Sequence, residues 1–147
     1  MFYGEYLHSI DRKGRLILPS KFREAAKGNF VERFFVTRGL DKCLFMFPEE
    51  EWRAQEQKFK SVSFTKQESR IFNRIYFSGT VEVAPDRQGR VLLPQYLKDF
   101  AEIKKDVTIV GVSNRIEIWS TLVWNEFYGN WQQSFEEIAE KLIDSKV

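Results

Sequence analysis

The chain has 147 residues, enough for one domain or for two very small units that must share a core or associate. Hydrophobic residues make up 43%, with 14 Phe and 4 Trp, which excludes general disorder; no run nears the roughly 18 consecutive apolar residues of a membrane span. A net charge of +2 and a pI of about 8.6 exclude a uniformly basic surface, so any grip on a polyanion must come from local clustering or from many subunits.

In chain order, the first segment with structure is Glu5 to Ile10, where Tyr6, His8 and Ile10 fall on one face of a strand. Glu5, His8, Asp11 and Arg12 precede any long apolar run, so no signal peptide is read and a soluble, cytoplasmic protein is expected. A turn follows at Asp11-Arg12-Lys13-Gly14-Arg15. Asp opens it because its carboxylate accepts backbone N–H groups just downstream, and Gly14 supplies positive φ. Arg15 to Leu18 then reads as a short apolar strand that Pro19 stops. A short helix with Phe22, Ala25 and Ala26 on one stripe comes next. Two strands follow, Phe35 to Gly39 and Leu44 to Phe47, the second preceded by the lone Cys43. A single cysteine excludes an intramolecular disulfide and reads as a buried small hydrophobe in a reducing compartment. Pro48-Glu49-Glu50-Glu51 suits a helix start, with carboxylates at the positive end of the dipole. Ile71, Phe72, Ile75 and Tyr76 keep helical spacing in the link that follows.

The chain then repeats itself. Asp86-Arg87-Gln88-Gly89-Arg90-Val91-Leu92-Leu93-Pro94 lies 75 positions after Asp11 to Pro19, and Phe77-Ser78-Gly79 lies 75 after Phe2-Tyr3-Gly4. Val81 and Val83 flank Glu82 in strand alternation, and Leu97, Phe100 and Ala101 repeat the helical stripe. Beyond that the offset drops to 72, pairing Phe35–Gly39 with Val107–Gly111, Leu44–Phe47 with Ile116–Trp119, and Trp52 with Trp124. Three extra residues in the first copy are placed around Gly28-Asn29-Phe30. Ser120 or Thr121 is the expected N-cap of the last helix. Its apolar residues Tyr128, Trp131, Phe135, Ile138 and Leu142 step by three and four. That stripe reads first as a helix packing on its own domain, and otherwise as a subunit interface.

The duplicated turns are the candidate binding surface. Asp11 and Asp86, with Gly14 and Gly89, are assigned to holding the turns. Arg12, Lys13, Arg15, Arg87 and Arg90 are the candidates for contact with double-stranded DNA, since arginine pairs with guanine edges and both basic types neutralise phosphates. Gln88 stands where the first copy has Lys13; it can read adenine but carries no charge. One such turn binds weakly, and duplication multiplies contacts. Catalysis is not supported. The lone His8 sits in a strand, no Cys/His set has zinc spacing, and no Gly-rich phosphate loop occurs. No catalytic residue, metal, cofactor or small-molecule substrate is expected. A non-catalytic protein-binding scaffold is the alternative.

The paired Asp-x-x-x-Arg motifs, Asp11 to Pro19 and Asp86 to Pro94, with Arg115-Ile116-Glu117-Ile118-Trp119 and the opening Phe2-x-Gly4, resemble the MraZ family over essentially the whole chain. The resemblance implies an α+β, β-rich fold: a pseudo-dimeric barrel of two SpoVT-AbrB-like (double-split β-barrel, swapped-hairpin) repeats with flanking helices. The expected layout is a first repeat over 5–50, linking helices over 51–78, a second repeat over 79–122 and a C-terminal helix over 123–147. It also implies a nucleoid-associated transcriptional regulator that binds short tandem repeats upstream of a bacterial division and cell-wall gene cluster as a ring-shaped homo-oligomer, commonly octamer-like. Carried over residue by residue, the basic positions are Lys13, Arg15, Arg87 and Arg90.

Overall fold

The computed structural model describes residues 1–27 and 33–144. Eight strands and six α-helices alternate along it: β1 Glu5–Ser9, β2 Arg15–Ile17, α1 Ser20–Lys27, β3 Phe34–Arg38, β4 Leu44–Pro48, α2 Glu49–Lys60, α3 Gln67–Ser78, β5 Val81–Val83, β6 Arg90–Leu92, α4 Gln95–Phe100, β7 Asp106–Val112, β8 Arg115–Ser120, α5 Thr121–Trp131 and α6 Phe135–Asp144. The class is α+β, with every strand pair antiparallel. Six strands form one open sheet in the order β1-β7-β8-β4-β3-β5, and β2 and β6 form a separate ribbon.

The two copies exchange strands. β1 of the first copy pairs with β7 of the second, and β5 of the second pairs with β3 of the first. Equivalent strands meet only at the centre. In the ribbon Leu16 faces Val91, and in the sheet Phe45 faces Glu117. A local two-fold axis therefore runs between these two pairs. The apolar inner residues of ribbon and sheet close one core between them: Leu16, Leu18, Val91 and Leu93 pack with Val36, Leu44, Met46, Ile109, Ile116 and Ile118. Neither copy builds this core alone, in keeping with the marginal size of each.

The expected alternation holds at Tyr6 and His8 in β1, which are half-buried between exposed Glu5, Leu7 and Ser9. One register expectation fails. Val36 pairs with Met46 and Val81, and Ile109 pairs with Ile118 and Tyr6, so Val36 corresponds to Ile109 and not to Thr108. The offset in this strand is 73. The reason is a loop: five residues separate the paired Arg38 and Leu44, but four separate Gly111 and Ile116. A one-residue slip moves every side chain to the other face, so the spacing of 72 would have turned Val36 out of the core.

The first helical stripe is only partly as expected. Phe22 is buried, with its ring edge against Phe2 and Tyr6, but Ala25 is exposed. The side chain of Ala26 and the insertion at Gly28-Asn29-Phe30 lie outside what is described. In the second copy Leu97 and Ala101 are buried as expected. The link forms the hairpin α2–α3, held by an aromatic cluster of Phe47, Trp52 and Tyr76 with Phe35, Phe59, Phe72 and Phe77 around it. Ser120 stands at the N-cap of α5 but makes no side-chain cap bond. The C-terminal region is α5 and α6 separated by a 3-10 turn at Gln132–Ser134, not one helix. Its apolar stripe stays largely open to solvent: Tyr128, Trp131 and Phe135 are all more than half exposed. Cys43 is buried, and burial pushes its thiol pKa up.

The position of Leu16 at the local axis gives a direct test. Leu16→Ala leaves a cavity between ribbon and sheet and is expected to lower unfolding stability by about 2–5 kcal/mol, read by urea denaturation of the purified protein.

Candidate nucleic-acid interface

Each basic turn is set by its aspartate. The Asp11 Oδ1 accepts the backbone N–H of Lys13 and of Arg15, both at 2.9 Å, while Oδ2 accepts Arg15 Nε at 2.8 Å. Asp86 repeats the arrangement with Gln88 N–H and Arg90 N–H at 2.9 Å and Arg90 Nε at 2.8 Å. The backbone closes in the same way in both copies: Asp11 N–H donates to Arg15 C=O and Gly14 N–H to Asp11 C=O, with Asp86, Arg90 and Gly89 in the same roles. Gly14 and Gly89 have φ of 80° and 78°, the left-handed region where other residues are strained. The carboxylates bridge backbone donors across the turn and take up one edge of the following guanidinium.

These bonds hold both aspartates below the usual carboxylate range. In each case the largest cause is the backbone N–H of the second arginine, Arg15 or Arg90, with that arginine's side chain and the backbone of Lys13 or Gln88 adding to it.

The turns stand at opposite ends of the ribbon. Leu93 N–H of the second copy donates to Gly14 C=O at 3.1 Å, and Leu18 N–H of the first copy donates to Gly89 C=O at 2.9 Å. Each turn is thus pinned by the other copy. In the ribbon Arg15 faces Leu92 and Ile17 faces Arg90, so all four share the outer face while Leu16 and Val91 point inward. With about 3.4 Å of rise per residue and about 4.8 Å between strands, the Cα atoms of Arg15 and Arg90 lie about 8–9 Å apart, and the tips at Lys13 and Gln88 on the order of 20 Å.

The candidates differ in availability. Arg12, Lys13, Arg87 and Gln88 are exposed at the tips, and among the described residues Arg12, Lys13 and Arg87 form no ion pair. Arg15 and Arg90 are about three-quarters buried, each tied through Nε to its aspartate. Other arginines are committed within the protein. Arg33 bridges Glu49 and Glu82, Arg38 donates to Ile75 C=O and lies over the Tyr96 and Phe100 rings, and Arg115 pairs with Glu117 over the Phe45 ring.

Two pairs escaped the sequence reading. Ile17 and Leu92 are 45% and 59% exposed between the two arginines; strand alternation alone would have shown them facing outward. Arg23 and Lys98 come to lie beside the turns, although neither belongs to the turn motif. Their equal spacing of 75 and shared positive charge were the available signal. Among the described residues no group of three or more His, Cys, Asp or Glu is placed to hold a metal, and no helix is long and apolar enough to cross a membrane.

Residues 1–75 and 76–146 match, as two copies, the protein family described as "MraZ protein, putative antitoxin-like". The chain belongs to the MraZ family. The protein named Transcriptional regulator MraZ from Carboxydothermus hydrogenoformans is 49% identical over 144 residues, 98% of each chain. The solution structure of PHS018 from Pyrococcus horikoshii overlaps 80% of this chain and 88% of its own, at 19% identity and a TM-score of 0.32. The MraZ repeat boundary at residues 75 and 76 falls inside α3, one helical turn before the β5 strand that crosses to the first copy.

The aspartate geometry predicts an acid response. A carboxyl whose pKa falls on folding binds fewer protons in the native state, so its stabilising effect is present above its unfolded value and is lost as pH falls through its folded value. Thermal melts should therefore show stability dropping below about pH 4. The double variant Asp11→Asn/Asp86→Asn should be less stable at pH 7 and lose part of that acid dependence.

Proposed function

We propose that this MraZ-family chain is a DNA-binding transcriptional regulator in which the ribbon and its two basic turns contact double-stranded DNA. The observation that carries the reading is the symmetric outer face, where the register sets Arg15 and Arg90 around Ile17 and Leu92; ordinary strand spacing puts the two arginines about 8–9 Å apart and the tips on the order of 20 Å apart beyond them. A major groove about 12 Å wide admits the central pair, and the tips reach phosphates on either side. Arg15 and Arg90 keep their terminal nitrogens for guanine edges, Ile17 and Leu92 meet thymine methyls, and Arg12, Lys13 and Arg87 neutralise phosphates. Gln88 reads a base or a sugar edge in place of the Lys13 charge. The name of the Carboxydothermus relative supports the regulatory role.

The finer parts of the reading follow the family resemblance. The two copies, 5–50 and 79–122, act as swapped-hairpin, AbrB-like halves of one double-split barrel, joined by 51–78 and followed by 123–147. Subunits assemble into a ring, octamer-like, so that several ribbons engage short tandem repeats upstream of a division and cell-wall gene cluster in the nucleoid. The exposed residues Tyr128, Trp131 and Phe135 support self-association, since exposed apolar surface of this kind marks an interface.

Arg15→Ala is expected to weaken binding to a duplex selected from a random pool by about 1–3 kcal/mol per engaged site, read by gel shift at fixed salt; unchanged affinity removes Arg15 from the interface. Phe135→Glu is expected to lower the molar mass measured by light scattering, and a wild-type protein that is already monomeric overturns the ring.

A further inference from the structure

Arg23 in α1 and Lys98 in α4 occupy equivalent places in the two copies. The backbone N–H of each donates to the carbonyl of its own proline, Arg23 to Pro19 and Lys98 to Pro94, both at 3.2 Å. Neither side chain lies by the turn of its own copy. A β-carbon placed on Gly14 would stand 2.8 Å from Lys98 Nζ, and one placed on Gly89 would stand 2.6 Å from Arg23 Cζ and Nε and 3.0 Å from Nη1. Those near-equal distances lay the Arg23 guanidinium flat across the glycine. The crossing has a backbone cause. Leu18 runs hydrogen-bonded to Gly89, and Leu93 to Gly14, so the chain entering each helix passes beside the opposite turn. The absent side chain at Gly14 and Gly89 is what lets the cation come this close.

Both side chains are half-buried. Arg23 Nε is buried and, among the described residues, has no hydrogen-bond partner. Neither cation forms an ion pair among the described residues, unlike Arg33, Arg53 and Arg115. A buried donor without an acceptor is rare in native proteins; here the Nε lies against Gly89, and the half-exposed remainder of the guanidinium is the part open to a ligand.

We propose that Arg23 and Lys98 are phosphate-binding residues, each completing the DNA-contact surface of the other copy's basic turn. This rests on the DNA-contacting reading of the turns given above. Phosphate, not a base edge, is the assigned partner for two reasons. Both residues stand beside the turn glycine and are set back from the tips at Arg12-Lys13 and Arg87-Gln88. One copy also uses arginine where the other uses lysine. The two are not interchangeable where a base is read through a bidentate fork, but both serve where only positive charge is needed.

The test uses the full chain and two duplexes of equal length, one selected from a random pool by the wild-type protein and one of mixed sequence. Dissociation constants are measured over a range of sodium chloride. R23Q/K98Q should bind both duplexes more weakly, with the ratio between them unchanged. The slope of log affinity against log salt should become shallower by about 0.9 for each phosphate that is no longer neutralised. R23K/K98R should restore the slope, and melting temperature and oligomer mass should stay at wild-type values. K98Q alone, at a half-exposed lysine, should give half the change in slope, which keeps the test open if the double variant misfolds. An unchanged slope in R23Q/K98Q, alongside abolished binding in R12A/K13A/R87A, overturns this proposal and leaves the turns in place. Wild-type binding in R12A/K13A/R87A overturns the reading of the turns, and this proposal with it.

Discussion

The two turn glycines accept backbone hydrogen bonds across the repeat boundary, Gly14 from Leu93 and Gly89 from Leu18. Most other features of the molecule depend on these bonds. They fix the ribbon register, which sets Leu16 against Val91 and turns Arg15, Ile17, Arg90 and Leu92 to one face. They also force the strand exchange, because a turn pinned by the opposite copy sends its preceding strand to that copy's sheet. β1 and β5 therefore leave their own halves and become the two edges of the open sheet. A single copy would carry an unpaired ribbon strand and half a core, so duplication within one chain makes the exchange intramolecular and removes the concentration dependence of a dimer.

Asp11 and Asp86 resolve a conflict that the proposed DNA-contacting surface would create. A turn needs acceptors for its backbone N–H groups, yet a free carboxylate would repel phosphate. Each aspartate is engaged on both oxygens, by two backbone donors through one and by a guanidinium through the other. Its charge is used locally. The same contact removes rotamer freedom from Arg15 and Arg90 before any ligand arrives, so less is lost when their terminal nitrogens bind. The tip residues carry no such restraint, which suits groups that track a charged backbone and not a particular base.

The turn was legible in the sequence because its chemistry is local. An aspartate, a glycine at positive φ and a β-strand ending in proline lie within nine residues, and each has one structural role. The repeat was legible because the motif is copied. The face of β3 was misplaced by one residue, since a single extra residue in the Gly39–Cys43 loop is invisible to an offset fitted on glycines. The exposed stripe on α5 and α6 was misjudged because apolar spacing is the same whether a helix meets its own domain or a neighbour. Arg23 and Lys98 escaped for a further reason. Their partners are 66 and 84 residues away in sequence, at Gly89 and Gly14, and only the exchange of halves brings them together. Local pattern cannot report such a contact; the symmetry of the copies could have hinted at it.

The modest overall charge fits this architecture. Asp11, Arg12, Lys13 and Arg15 sum to +2 and Asp86, Arg87, Gln88 and Arg90 to +1, while the whole chain carries only +2. Several acidic groups are taken up by arginines outside the turns, in the Arg33-Glu49-Glu82 bridge, on α2 at Glu56 with Arg53, and at Glu117 beside Arg115. Charge is therefore separated in space and not accumulated. A chain with a net charge of only +2 has little long-range attraction for nucleic acid, because salt screens exposed charges beyond about 8 Å at physiological ionic strength. Close contact at the ribbon still meets a positive surface. Under the proposed reading, binding is weak for one subunit and strong only where several ribbons engage in register, so spacing along the DNA would become part of what is recognised.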